Sequence, residues 1–208
     1  MALCALQSTR HVAKNGSLRL AVPLILKVMK PTTQSTGQTA MPTILKWPDP
    51  ALFKKSAPVT KVTDEIRSLA EGMTSAMLSA PGLGLAAPQV GVLLRLIVVY
   101  PAGAEFEYAG IGPITLVNPV ITETLGEDIG DEGCLSVPGV NCELTRPAWL
   151  KVKYISLDGE PKELQAKDRL ARCVAHEVDH LDGVIFWDRL PRLKRDWLKL
   201  KFKRKNGW

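Results

Sequence analysis

Residues 171–183 read Ala-Arg-Cys-Val-Ala-His-Glu-Val-Asp-His-Leu-Asp-Gly, and the five from His176 to His180 decide how the rest of the chain is understood. On an α-helix, residues four apart are separated by about 40° around the axis and about 6 Å along it. His176 and His180 therefore present two imidazoles to one ion, with Glu177 beside it. The chain has three histidines in all, and two of them flank a glutamate at this spacing. The apolar stripe Leu170, Val174, Val178 and Leu181 predicts a helix from about Glu163 to Leu181, with Gly183 as its C-terminal cap.

Two histidines do not hold a catalytic metal, so the third ligand sets the class of enzyme. No glutamate follows Glu177, and Phe186 stands where a three-histidine pattern needs its last ligand. Cys173 shares the helix face but lies seven residues from His180, about 10.5 Å along the axis, too far to converge on the same ion. It reads as packing around the site. Cys134 lies in Asp131-Glu132-Gly133-Cys134-Leu135-Ser136, with Pro138-Gly139 following, where glycine lets the backbone approach closely. It is the expected third ligand. The segment Gly82-Leu83-Gly84-Leu85-Ala86-Ala87-Pro88-Gln89 lacks the spacing and the lysine of a phosphate loop. Its glycines and alanines suit a wall along which a peptide lies, and Leu83 and Gly84 stand on that wall. Gln89, the one polar side chain there, is suited to donate to a developing oxyanion.

In this order, GLGLAAPQ (82–89), EGCLS (132–136) and HEVDH (176–180) resemble the three signature motifs of the peptide deformylase family. The resemblance runs over roughly residues 41 to 190, including Pro48-Asp49-Pro50 and the HLDGVIFWDR stretch at 180–189. It implies that Cys134, His176 and His180 bind one divalent metal ion, with Fe(II) the family expectation and Zn(II) or Ni(II) accepted. It also implies that Glu177 is general base and acid toward a metal-bound water. Gln89 and the Leu135 amide would form the oxyanion site, and Gly84 would help hold the substrate backbone. The implied substrate is an N-formylmethionyl nascent peptide, from which formate is released. Asn141 stands where many members carry Arg, and Ala175 where many carry Gln.

Around the motif helix, Ile66, Leu69, Ala70, Met73 and Met77 predict a second amphipathic helix over 64–79, ended by Pro81-Gly82. Residues 93–100, 115–122 and 150–157 read as strands, the last closing at Asp158-Gly159. The expected fold class is α+β, with antiparallel strands wrapped around a central metal-binding helix.

At 208 residues and 46% hydrophobic, the chain suits one globular unit. Its charge of +6 is uneven: residues 1–40 hold five cations and no acid, and residues 189–208 hold nine cations and one acid. The remainder, 41–188, carries 13 basic and 20 acidic residues, a net of −7. DNA is thus not an expected partner of the body. We read 1–40 as a leader with transit-peptide composition, 41–190 as the catalytic domain, and 191–208 as a basic tail suited to ribosomal RNA. A core of this size needs no disulfide staples, so the four cysteines indicate a reducing compartment. That is a bacterial cytoplasm, or a mitochondrion or plastid if the leader is a transit peptide. No apolar run reaches the ~18 residues of a membrane span, so no membrane anchor is expected. Two rival readings fare worse. A peptidase of internal bonds lacks its downstream ligand, and an RNA-binding protein with a structural metal lacks a fourth ligand and leaves Glu177 without a purpose.

Overall fold

The computed structural model describes residues 41–101 and 109–207, so the leader expected at 1–40 lies outside the described residues. Strands β1 (Gly84–Ala86), β2 (Leu96–Val99) and β3 (Ile114–Leu125) pair antiparallel in that order. The hairpin β4 (Asp128–Cys134) and β5 (Val137–Arg146) stands as a separate two-stranded sheet. Strands β6 (Trp149–Ile155) and β7 (Pro161–Lys167) then extend the first sheet beyond β3. Among the described residues, three longer helices pack with these strands: α1 (Asp64–Ser79), α2 (Asp168–Leu181) and α3 (Arg192–Lys205). The class is α+β, as expected.

All four side chains of β2 are buried, which explains why its sequence is continuously apolar rather than alternating. Ile97 and Val99 join Leu116, Leu150 and Val152 against Leu170, Val174 and Leu181 of α2. Leu96 and Val98 face the other way, onto Met73 and Met77 of α1. Each such fully buried aliphatic side chain contributes about 1.5–3 kcal/mol, so α2 is held by the sheet and not by its own propensity. A third cluster joins the hairpin to Trp47, Trp187 and Phe202, whose rings meet edge-on at centroid distances of 5.4 to 6.1 Å. Leu198 and Phe202 anchor α3 in that cluster.

The helix expected from Glu163 starts instead at Asp168. Glu163, Leu164, Gln165 and Ala166 favour helix locally, but Pro161–Lys167 pairs along its whole length with β6, and that ladder prevails. Asp168, at φ 50°, makes the corner between strand and helix, a conformation that Asp tolerates better than most residues. The strand expected at 93–100 narrows to Leu96–Val99, and the β4–β5 hairpin went unpredicted. At the far end of α2, Gly183 has φ 74°. Its N–H donates to the His180 carbonyl at 3.2 Å, and that of Val184 to the Asp179 carbonyl at 2.9 Å. This closed C-terminal cap fixes the last turn, which carries His180. Among the described residues, no helix is long and apolar enough to cross a membrane.

Candidate metal centre and active site

The fold brings the three expected ligands together. Cys134 ends β4, while His176 and His180 lie on consecutive turns of α2. One ligand atom from each lies within 4.8 Å of the other two, and Cys134 Sγ is 3.2 Å from His180 Nε2. One thiolate and two imidazoles suit Zn, Fe or Ni equally, and in a tetrahedral site such ligand atoms lie about 3–4 Å apart. The donor set therefore fits a divalent ion, and the geometry leaves its identity open.

Glu132 was not singled out by sequence, yet it orders the whole centre. It projects from β4 toward α2, where its Oε1 meets His176 Nδ1 at 2.6 Å. Arg146, from the paired strand β5, grips the same carboxylate with two hydrogen bonds, at 2.9 and 2.6 Å. Its third nitrogen bonds Asp179 at 2.7 Å. Asp179 also pairs with Arg189, and Arg172 reaches Glu132 at 3.4 Å. With Nδ1 committed to Glu132, His176 has Nε2 left for an ion.

These contacts set the charges. Burial alone would raise the Glu132 carboxyl, but the hydrogen bonds and charges of Arg146 and His176 prevail and hold it far below its usual range. Burial pushes His176 down, yet Cys134 and Glu132 outweigh it and lift that ring well above its ordinary value. His180 is pushed down by burial and by the nearby charge of His176. Glu177 is raised to about 7, chiefly by burial, and its Oε2 has no hydrogen-bond partner.

Glu177 lines a cleft of about 620 Å³ with Pro81–Gly84, Asp128, Gly130–Gly133, Leu135, Arg169, Arg172, Cys173 and His176. The candidates Leu83, Gly84 and Leu135 are thus all in its walls. Gly84 touches Glu177 so closely that a Cβ there would lie 2.5 Å from Oε1. Cys173, too distant to be a ligand, packs at the same spot, 2.8 Å from that Cβ position. Gln89 is buried behind Cys134. Its Oε1 accepts the Ala86 N–H, a group that can only donate. This turns Nε2 toward Cys134 Sγ, at 3.5 Å, and Ser136 Oγ, at 3.2 Å. The Cys134–Ser136 turn is pinned by Lys46 donating to the Leu135 carbonyl and by Trp47 N–H donating to that of Ser136.

The family model described as polypeptide deformylase matches residues 41–196. A peptide deformylase of Afipia carboxidovorans is 47% identical over 161 residues, covering 76% of this chain and 92% of that protein. Among solved structures, a peptide deformylase of Legionella pneumophila superposes with a TM-score of 0.74 at 38% identity, covering 81% of this chain and 96% of that one. A peptide deformylase of Ehrlichia chaffeensis in complex with actinonin gives 0.73 at 37%, covering 80% and 98%.

Proposed function

The chain belongs to the polypeptide deformylase family of metallohydrolases, and from that premise we propose that it removes the formyl group from the N-terminal formylmethionine of newly made polypeptides. The observation that carries this reading is the convergence of Cys134, His176 and His180 beside Glu177 in one cleft. Cys134, His176 and His180 would hold one divalent ion, with Fe(II) expected from the family and Zn(II) or Ni(II) compatible with the same ligands. When bound, that ion supplies Lewis acidity and lowers the pKa of water from 15.7 toward about 7.

The chain's own residues supply the remaining parts. Glu177 accepts a proton from the attacking water and returns it to the departing amine. Its carboxyl, raised to about 7, sits close to the pH at which it must both take and give a proton. The Gln89 amide, already turned toward Cys134, and the Leu135 N–H donate to the formyl oxygen as charge develops there. Gly84 and Leu83 form the wall along which the peptide lies.

Residues 41–190 act as the catalytic domain, and the helix that follows is the basic tail. Residues Arg192–Lys205 contain eight cations and one acid, which supports contact with ribosomal RNA during synthesis. The described cysteines, Cys134, Cys142 and Cys173, are free thiols. This fits a reducing compartment: bacterial cytoplasm, or an organelle matrix if 1–40 is a transit peptide.

The test is formate release from formyl-Met-Ala by anaerobically purified protein, compared with Glu177→Ala, with metal content measured on both. We expect the variant to keep one metal per chain and to lose roughly 10²–10⁴-fold in turnover. A variant that still turns over at the wild-type rate removes Glu177 from this role.

A further inference from the structure

An amide side chain donates to one point in space only if its plane is fixed. Gln89 Oε1 accepts the Ala86 N–H at 2.8 Å, but that single contact leaves the NH2 end free to swing about it. A second hold comes from across the site, where Nε2 donates to Ser136 Oγ at 3.2 Å and lies 3.5 Å from Cys134 Sγ. The two hydrogens of an amide nitrogen diverge in one plane, so the one given to Ser136 fixes where the other points.

Ser136 is well placed to be that hold. It is fully buried, and a buried hydroxyl is costly unless it is hydrogen-bonded, which the Gln89 amide provides. Its backbone is tied on both sides: its N–H donates to Cys134 Sγ at 3.4 Å, and its carbonyl accepts the Trp47 N–H at 2.9 Å. Trp47 packs edge-on against Trp187 and Phe202. Two residues earlier in the same segment, the Leu45 N–H donates to the Gln89 carbonyl at 2.8 Å. One short stretch of chain, Leu45–Trp47, thus sets the backbones of both partners relative to each other.

We propose that Ser136 is a positioning residue for deformylation: its hydroxyl fixes the plane of the Gln89 amide, so that the other N–H stays aimed past Cys134 at the developing oxyanion. This role rests on the reading of the cleft as the deformylase site. Because an aimed donor acts as charge develops in the transition state, the effect falls on kcat and not on KM.

The test uses the zinc-loaded full chain, labelled for NMR, together with formate release from formyl-Met-Ala. In the wild-type protein the Gln89 side-chain amide should be as ordered as rigid backbone, with an order parameter of about 0.85, and in Ser136→Ala it should fall below about 0.6. The same variant should lose about tenfold in kcat, as for one neutral hydrogen bond, with KM within about twofold of wild type. Ser136→Thr, which keeps the hydroxyl, should keep the amide ordered. In a Gln89→Ala background, Ser136→Ala should cost less than about twofold, because the residue it acts through is gone. A loss there as large as in the wild-type background, or an amide equally ordered with and without the hydroxyl, overturns the inference. If Ser136→Ala does not fold, the wild-type protein decides alone, and a freely moving Gln89 amide in it overturns the inference. No formate from the wild-type protein overturns the deformylase reading instead, while the order of the amide still judges Ser136.

Discussion

Two buried glutamates face the metal centre from different elements, and their surroundings make them opposites. Glu132 enters from the hairpin into a cage of Arg146, Arg172 and His176, so that burial is outweighed and the carboxylate stays ionised. Glu177 sits on the helix against Gly84, with one oxygen unpartnered, and burial raises it to about 7. The same side chain thus becomes a fixed anion in one place and a carboxyl that titrates near neutral pH in the other. What separates them is the supply of cationic hydrogen-bond donors and not depth, since both are nearly inaccessible to water.

The comparison breaks most severely at Arg146. Replacing it with Met leaves Glu132 and Asp179 buried without their shared cation, and breaking such a buried network costs about 3–5 kcal/mol. For a domain of this size, that corresponds to a fall of roughly 10 °C in the thermal midpoint. An unchanged midpoint by calorimetry would mean that the cage around Glu132 is not what keeps it ionised.

Glu132→Gln is a milder change, because the amide still reaches His176 while the charge is lost. Support of this kind for a metal-binding imidazole typically contributes 10- to 100-fold in affinity. We expect a loss of about that size in competition against a chelator, with metal binding still measurable. Affinity equal to wild type would reduce Glu132 to a purely structural role.

A pH dependence of opposite sign separates the two positions. Glu177 has a folded pKa above the unfolded 4.5, so its contribution to stability is full below 4.5 and is lost as pH rises to about 7. Glu132 has a lowered folded pKa, so its contribution is full above 4.5 and is lost as the solution is acidified below that value. In chelator-treated protein, Glu177→Gln should therefore gain on wild type between pH 4.5 and 7, by on the order of 1 kcal/mol per unit. Parallel stability curves over that interval would contradict the raised value.

These regions also differ in how readable they were. The helical centre is legible because its spacing carries the chemistry: two histidines one turn apart demand a third ligand, and elimination leads to Cys134. The Glu132 cage is not legible in that way. Arg146 follows Glu132 by 14 residues and reaches it only through the hairpin, where Glu132 stands opposite Cys142. That hairpin was missed because β5 hides its alternation: its inward residues Val140, Cys142, Leu144 and Arg146 include a thiol and a guanidinium, which break an apolar pattern. A buried arginine looks like a surface residue until its partners are known. The β7 segment failed for the opposite reason, since its local preference was clear and its pairing with β6 overrode it.

Gly84 has a consequence for which substitutions this wall tolerates. The space its side chain would fill is already taken by the Glu177 carboxylate, 2.5 Å away, and by Cys173. Any larger residue that arose there would displace the Glu177 carboxylate, the group proposed to carry the proton. The close packing of Gly84, Glu177 and Cys173 therefore ties the shape of this wall to the position of the carboxylate.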